Sequence, residues 1–144
     1  MSVAAEQAVR AWANSRTDLV GNGNPVSGGF YLLRQRSPAS GQYGVMSRQS
    51  IATAAVTAEN AGELDSARIS TLIYGGTQEA AEDAAAAFAS AVQSLSGRPV
   101  PCGDTGVVLL VHDNLSGPMF VPMPETGGEQ FAFEVAADFI LSAS

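Results

Sequence analysis

The sequence predicts an α+β domain, a mainly antiparallel sheet with an N-terminal helix and one long central helix packed on it. Three observations predict it. Residues 77–99, TQEAAEDAAAAFASAVQSLSGRP, read as one uninterrupted helix. Residues 129–144, EQFAFEVAADFILSAS, alternate for longer than any other stretch, and the remaining apolar runs are of strand length and separated by glycine, proline and asparagine. The 144 residues suit a single domain, 1–144, with a core of its own and no internal repeat.

Each element follows from its residues in turn. In residues 3–15, Ala5, Val9 and Trp12 recur at spacings of four and three, which stacks them on one helical face able to dock on a sheet. Residues 17–29, TDLVGNGNPVSGG, are dense in residues that break regular structure and read as an exposed loop. FYLLRQRSP, residues 30–38, has the aromatic and branched content of a strand and stops at Pro38, which cannot donate to a ladder. A second strand is expected over 43–47, while 49–65 carries no clear period and stays unassigned. In SARISTLIYGG, Ile69, Thr71 and Ile73 share one face, with Arg68, Ser70, Leu72 and Tyr74 opposite, a strand that ends on a double glycine.

The long helix is marked at both ends. Thr77 supplies a capping hydroxyl, and Glu79, Glu82 and Asp83 put negative charge at the positive end of the helix dipole. Its interior is mostly alanine, with Phe88, Val92 and Leu95 on one stripe, and Gly97 and Pro99 mark the stop. GVVLLVHDN, residues 106–114, reads as a central strand covered on both faces, DNLSG as a turn, and MFVPM as a short strand that Pro122 confines to an edge or bulge. In the last segment Phe131, Phe133, Val135, Ala137, Phe139 and Leu141 point one way, in a strand ~40 Å long. That strand either completes the chain's own sheet or overhangs it to pair with a neighbour. The alanine-rich helix surface has two readings as well, a smooth contact for another subunit or simple helix filling.

Composition narrows the function. Apolar residues make up 46% of the chain without a run near the ~20 that span a bilayer, and residues 1–8 lack the pattern of a signal peptide, so a soluble, non-secreted protein is expected. Fourteen acids face seven basic residues, all of them arginine, for a net charge of −7. Such a chain has too few cations to grip nucleic acid through its phosphates. Its arginines instead suit bidentate pairing with carboxylates, as at protein interfaces.

The residues able to do chemistry are sparse. His112 is the one histidine, and Asp113 and Ser116 lie near it, but no spacing enforces a triad; it reads as a structural or surface residue. Cys102 is the one cysteine and has no basic neighbour within two residues to activate it, so it reads as a small loop residue. The glycines of GNGNP and VSGG do not follow a strand and open a helix as phosphate loops do. Asp104 and Asp113 read as turn residues, Glu82 and Asp83 as first-turn helix acids, and neither a metal nor a cofactor is expected.

Four segments taken together resemble a known family. AVRAWANSRTDLVGNGNPVSGGFYLLRQRSPASGQYGVMSR, ARISTLIYGGTQEAAEDAAAAFASAVQSLSGRP, DTGVVLLVHDNLSGP and FAFEVAADFILSA occur in an order similar to that of the tail terminator, or tail completion, proteins of long-tailed bacteriophages, especially those of actinobacterial phages. The resemblance implies a non-enzymatic virion protein of the tail and neck, made in the host cytoplasm, whose subunits form a hexameric ring. That ring caps the tail tube, ends its growth and meets the head connector. Genome DNA would pass through the lumen without specific binding, repelled by the acid surplus. Arg34, Arg36 and Arg48, near strand ends, are the residues expected at the subunit interface, and the loop around 21–29 is expected to order on contact with tube or connector. The alternatives are another neck or tail component, such as a head-completion or tail-tube protein; a small hydrolase using Cys102 or His112; and a ligand-binding α+β domain with a pocket between helix and sheet.

Overall fold

The structure is a computed structural model that describes residues 5–32, 42–51, 67–95, 99–103, 107–111, 114–121 and 131–143. Among these residues are two helices, α1 (Ala5–Ser15) and α2 (Gln78–Gln93). Its strands are β1 (Phe30–Leu32), β2 (Tyr43–Ile51), β3 (Ala67–Gly75), β4 (Val100–Pro101), β5 (Val107–Val111), β6 (Ser116–Val121) and β7 (Phe131–Ala143). They form one sheet in the order β1-β2-β3-β7-β5-β4, with β6 also paired to β7. Among the described residues every pairing is antiparallel except that of β1 with β2, so the α+β class and the mainly antiparallel sheet are as the sequence predicts.

The sheet is organised around its last strand. β3 runs along one edge of β7 from Phe131 to Phe139. On the opposite edge β5 pairs with the half from Phe139 to Ala143 and β6 with the half from Ala132 to Ala136. β7 therefore completes the chain's own sheet, and the central position expected of residues 106–114 belongs to β7 instead. β5 lies one place further out, against the two-residue β4, which the sequence did not announce.

One face of this sheet carries both helices. The alternation in β3 and β7 turns Ile69, Ile73, Phe133, Val135, Ala137 and Phe139 toward them, all buried. α1 presents Ala5, Ala8, Val9 and Trp12, and α2 presents Phe88 and Val92, with Leu95 just beyond its end. Trp12 and Phe88 meet at 6.3 Å between ring centroids and Phe30 and Phe88 at 5.0 Å, which joins the two helices and β1 in a single core.

The helix start is the expected one, since Thr77 Oγ1 accepts a hydrogen bond from the Ala80 N–H at 3.1 Å. The stop comes earlier than Gly97: α2 ends at Gln93, Ser94 keeps a right-handed conformation, and Gly97 lies outside the described residues. The alanines have a further role. Ala81, Ala84, Ala85 and Ala89 are buried against the sheet, so small side chains set how closely α2 approaches it. Residues 17–29 are less exposed than expected. Leu19 and Val26 enter the core, the Val26 N–H donates to the Leu19 carbonyl at 2.8 Å, and Asn24 Nδ2 donates to the carbonyls of Thr17 and Val20. The strand expected over 30–38 is seen only as β1, its remainder lying outside the described residues, whereas the one expected over 43–47 extends to Ile51.

Candidate functional site

Among the described residues β6 is one edge of the sheet, with β1 and β4 the others. Its sequence, SGPMFV, carries no charge, and Ser116, Gly117, Pro118, Met119 and Phe120 are all exposed. Met119 and Phe120, at 55% and 46% relative exposure, are the large apolar side chains most open to solvent among the described residues. Only β7 pairs with this strand among the described residues, so one row of its backbone N–H and C=O groups has no ladder partner there. Pro118 has no N–H to contribute and marks this edge, while Pro122 lies outside the described residues. Gly117 adopts φ +97°, and a Cβ there would run into the Glu134 carbonyl, so glycine is required for β6 to lie against β7.

The break between β5 and β6 is pinned by a polar cluster on the face opposite the helices. From Val111 to Ser116 the chain takes five steps while β7 takes three, from Phe139 to Ala136. Arg68, on β3, spans this irregularity: its guanidinium donates to the Asn114 carbonyl at 2.9 Å, to Ser116 Oγ at 3.1 Å and to Asp138 Oδ1 at 3.4 Å. Asn114 Nδ2 donates to the other Asp138 oxygen at 2.7 Å. Asp138 is nearly buried and satisfied on both oxygens, as a carboxylate removed from water must be.

Along the same face, Ser70 Oγ donates to Glu134 Oε2. At the far end Tyr31, Tyr43 and Tyr74 form a short aromatic ladder, Tyr43 and Tyr74 stacked at 5.0 Å. Burial first, and then the neighbouring Tyr43 hydroxyl, push the Tyr74 phenol above its ordinary value. On the helix side, an open groove of about 450 Å³ lies between the glycine-rich loop and the first turns of α2, lined by Asn24, Pro25, Gln42, Glu79 and Asp83 among others.

The residues singled out from the sequence fall in different places. Arg34, Arg36, His112, Asp104 and Asp113 lie outside the described residues. Arg48 reaches across to α1, its Nη2 2.7 Å from Glu6 Oε1. Burial alone would raise the Glu6 carboxyl, but the hydrogen bond and charge of Arg48 outweigh it and hold the group below its ordinary value. As a subunit-interface residue Arg48 would have to share or exchange this partner. Glu82 and Asp83 are exposed on α2. Ser116 Oγ accepts a hydrogen bond from Arg68.

Cys102 is buried, and burial pushes its thiol up to about 11, the opposite of what a nucleophilic cysteine needs. Among the described residues no group of three or more His, Cys, Asp or Glu side chains is placed to hold a metal ion, and no helix is long and apolar enough to cross a membrane.

The sequence reading missed the Arg68–Asp138–Asn114–Ser116 cluster. Alternation gives Arg68 a strand face, but only the register that sets it opposite Asp138 brings the two together. No family model, no curated protein and no solved structure matches the chain.

Proposed function

We propose that this chain is a virion structural protein, the tail terminator of a long-tailed bacteriophage. In this reading identical subunits close into a hexameric ring that caps the tail tube, stops its polymerisation and joins it to the head connector. The genome passes through the lumen and is not held. No bond is made or broken, so the protein acts through contact surfaces, and it resides in the virion tail and neck after assembly in the host cytoplasm.

The observation that carries this reading is the open, uncharged edge at β6. It is a surface suited to another polypeptide rather than to a small substrate, because it offers a row of backbone groups and two apolar side chains without a titratable group. Two further features support it. The segments that resemble the family include α1, β3 with α2, and β7, which pack on one another in a single core. The net charge of −7 gives a ring lumen that repels phosphate.

The test is negative-stain imaging of the purified chain. Discrete six-fold rings with a central hole are expected. Long tubes, the product of a subunit that stacks on itself without limit, would assign the chain to the tube instead.

A further inference from the structure

We propose that Asn22 is a site of spontaneous deamidation, with the backbone nitrogen of Gly23 as the attacking group, and that the change remodels one wall of the groove beside α2. This modification goes beyond the ring reading and is independent of it.

Of the asparagines in the chain, only Asn22 is followed by glycine. The structure separates it from the others that are described. Asn14 is held on both side-chain polar atoms by the backbone of Phe30, at 2.8 and 3.1 Å. Asn24 Nδ2 donates to the carbonyls of Thr17 and Val20, and the residue after it is Pro25, which has no N–H to attack with. Asn114 Nδ2 donates to Asp138. Asn22 is exposed, and its side-chain amide makes no hydrogen bond among the described residues.

The backbone at Asn22 is equally uncommitted. Residues 21–24 form a β-turn closed by the Asn24 N–H, which donates to the Gly21 carbonyl at 3.0 Å, with Asn22 and Gly23 at its centre. The peptide joining these two is the one that such a turn leaves without a hydrogen bond. Gly23 has φ +86°, as the third residue of a type II turn does, and a Cβ there would meet nothing within 4 Å. Type I and type II turns differ by a flip of this central peptide, which glycine permits without steric cost. That flip is the motion that swings the Gly23 nitrogen across the Asn22 side chain.

The reaction needs only water. The Gly23 nitrogen gives its proton to solvent and bonds to the Asn22 side-chain carbonyl carbon, the bond from that carbon to its NH2 group breaks, and ammonia leaves with a proton taken back from solvent. Water then opens the cyclic imide at either carbonyl. Opening at the side-chain carbonyl leaves aspartate. Opening at the backbone carbonyl leaves isoaspartate, whose main chain runs through the former side chain and is one carbon longer. In sum an amide and water become a carboxyl and ammonia. The Val26 N–H is bonded to the Leu19 carbonyl at 2.8 Å and both side chains are buried in the core, so the ends of the loop are anchored. The extra carbon must be absorbed within residues 20–25, and Gly23, Asn24 and Pro25 line the groove. The new carboxylate adds to the negative field that Glu79 and Asp83 already set there.

The experiment holds full-length wild type and Asn22→Ser in mildly alkaline buffer, native and unfolded in guanidinium chloride. Samples are read over time by isoelectric focusing and by mass spectrometry of the tryptic peptide 17–34, bounded by Arg16 and Arg34. Asn22→Ser changes an exposed side chain that holds nothing in place, so the variant stays folded. Native wild type is expected to gain one negative charge, at Asn22 before any other asparagine, at a rate close to that of the unfolded chain. Aspartate and isoaspartate should both form, and the charge shift should be lost in Asn22→Ser. Native protein that keeps its amide, whether or not the unfolded chain loses it, overturns the proposal. So does a charge that appears first at another residue, or a product that is aspartate alone, since direct hydrolysis without the Gly23 nitrogen gives only that.

Discussion

Thr71 sits in the middle of the core with 0% exposure, and its hydroxyl finds no hydrogen-bond partner. A buried hydroxyl without a partner loses its water and gains nothing in exchange, so it costs stability rather than adding to it. Thr71→Val keeps the branched shape the strand favours and removes the stranded polar atom. Stability should rise by about 1 kcal/mol, read as a higher urea midpoint at unchanged slope and fixed protein concentration. A fall would show that the hydroxyl is satisfied after all.

Cys102 gives a second residue-scale test. With its thiol pushed up to about 11, the folded protein should be alkylated slowly at about pH 8 and quickly once unfolded. Between the ordinary thiol value near 9 and about 11 the native state retains a proton that the unfolded chain has lost. The stability contributed by the buried thiol is therefore complete below that window and lost as pH rises through it. Rapid labelling of native protein would contradict this and revive the nucleophile reading. At this scale the sequence was legible wherever a period existed: Ile69, Thr71 and Ile73 share the face that alternation assigns them. It was illegible where two distant segments meet, as with Glu6 and Arg48, 42 positions apart.

At the scale of elements, α2 and β7 were the most readable parts, because each repeats one signal many times over. Capping at Thr77 and the stripe Phe88, Val92, Leu95 act together, and in β7 the alternation runs the length of the strand. Leu19 and Val26 were not predicted to be core because a loop has no period; hydrogen bonds within the loop, that from Val26 to Leu19 among them, turn them inward. β5 was placed too centrally because an apolar run reports burial, not position in the sheet. The contact of α2 with β3 makes a prediction of its own. A Cβ at Gly75 would lie 2.8 Å from the Ala81 nitrogen and 3.0 Å from its Cα, both backbone atoms that cannot swing aside. Gly75→Ala should therefore displace α2 from the sheet and destabilise the fold by about 1–3 kcal/mol, seen as a lower melting temperature. An unchanged melting temperature would mean that the helix stands further from β3 than described.

For the whole molecule, the features fit a protein that works by shape and number. The one charged side chain buried among the described residues, Asp138, is held by Arg68 and Asn114, and β6 exposes an uncharged strand edge with two apolar side chains. In the proposed ring, the surplus of fourteen acids over seven arginines would repel a polyanion passing through the lumen. The fold class was legible because helical and strand periods differ; the open edge was not, since exposure of β6 depends on which strand β7 takes as its neighbour. The measurement that bears most directly on this account is the native mass of the purified wild-type chain. The account predicts a discrete species of six copies of the 14.8 kDa subunit. A single subunit at every concentration, or an open-ended series of masses, would contradict it.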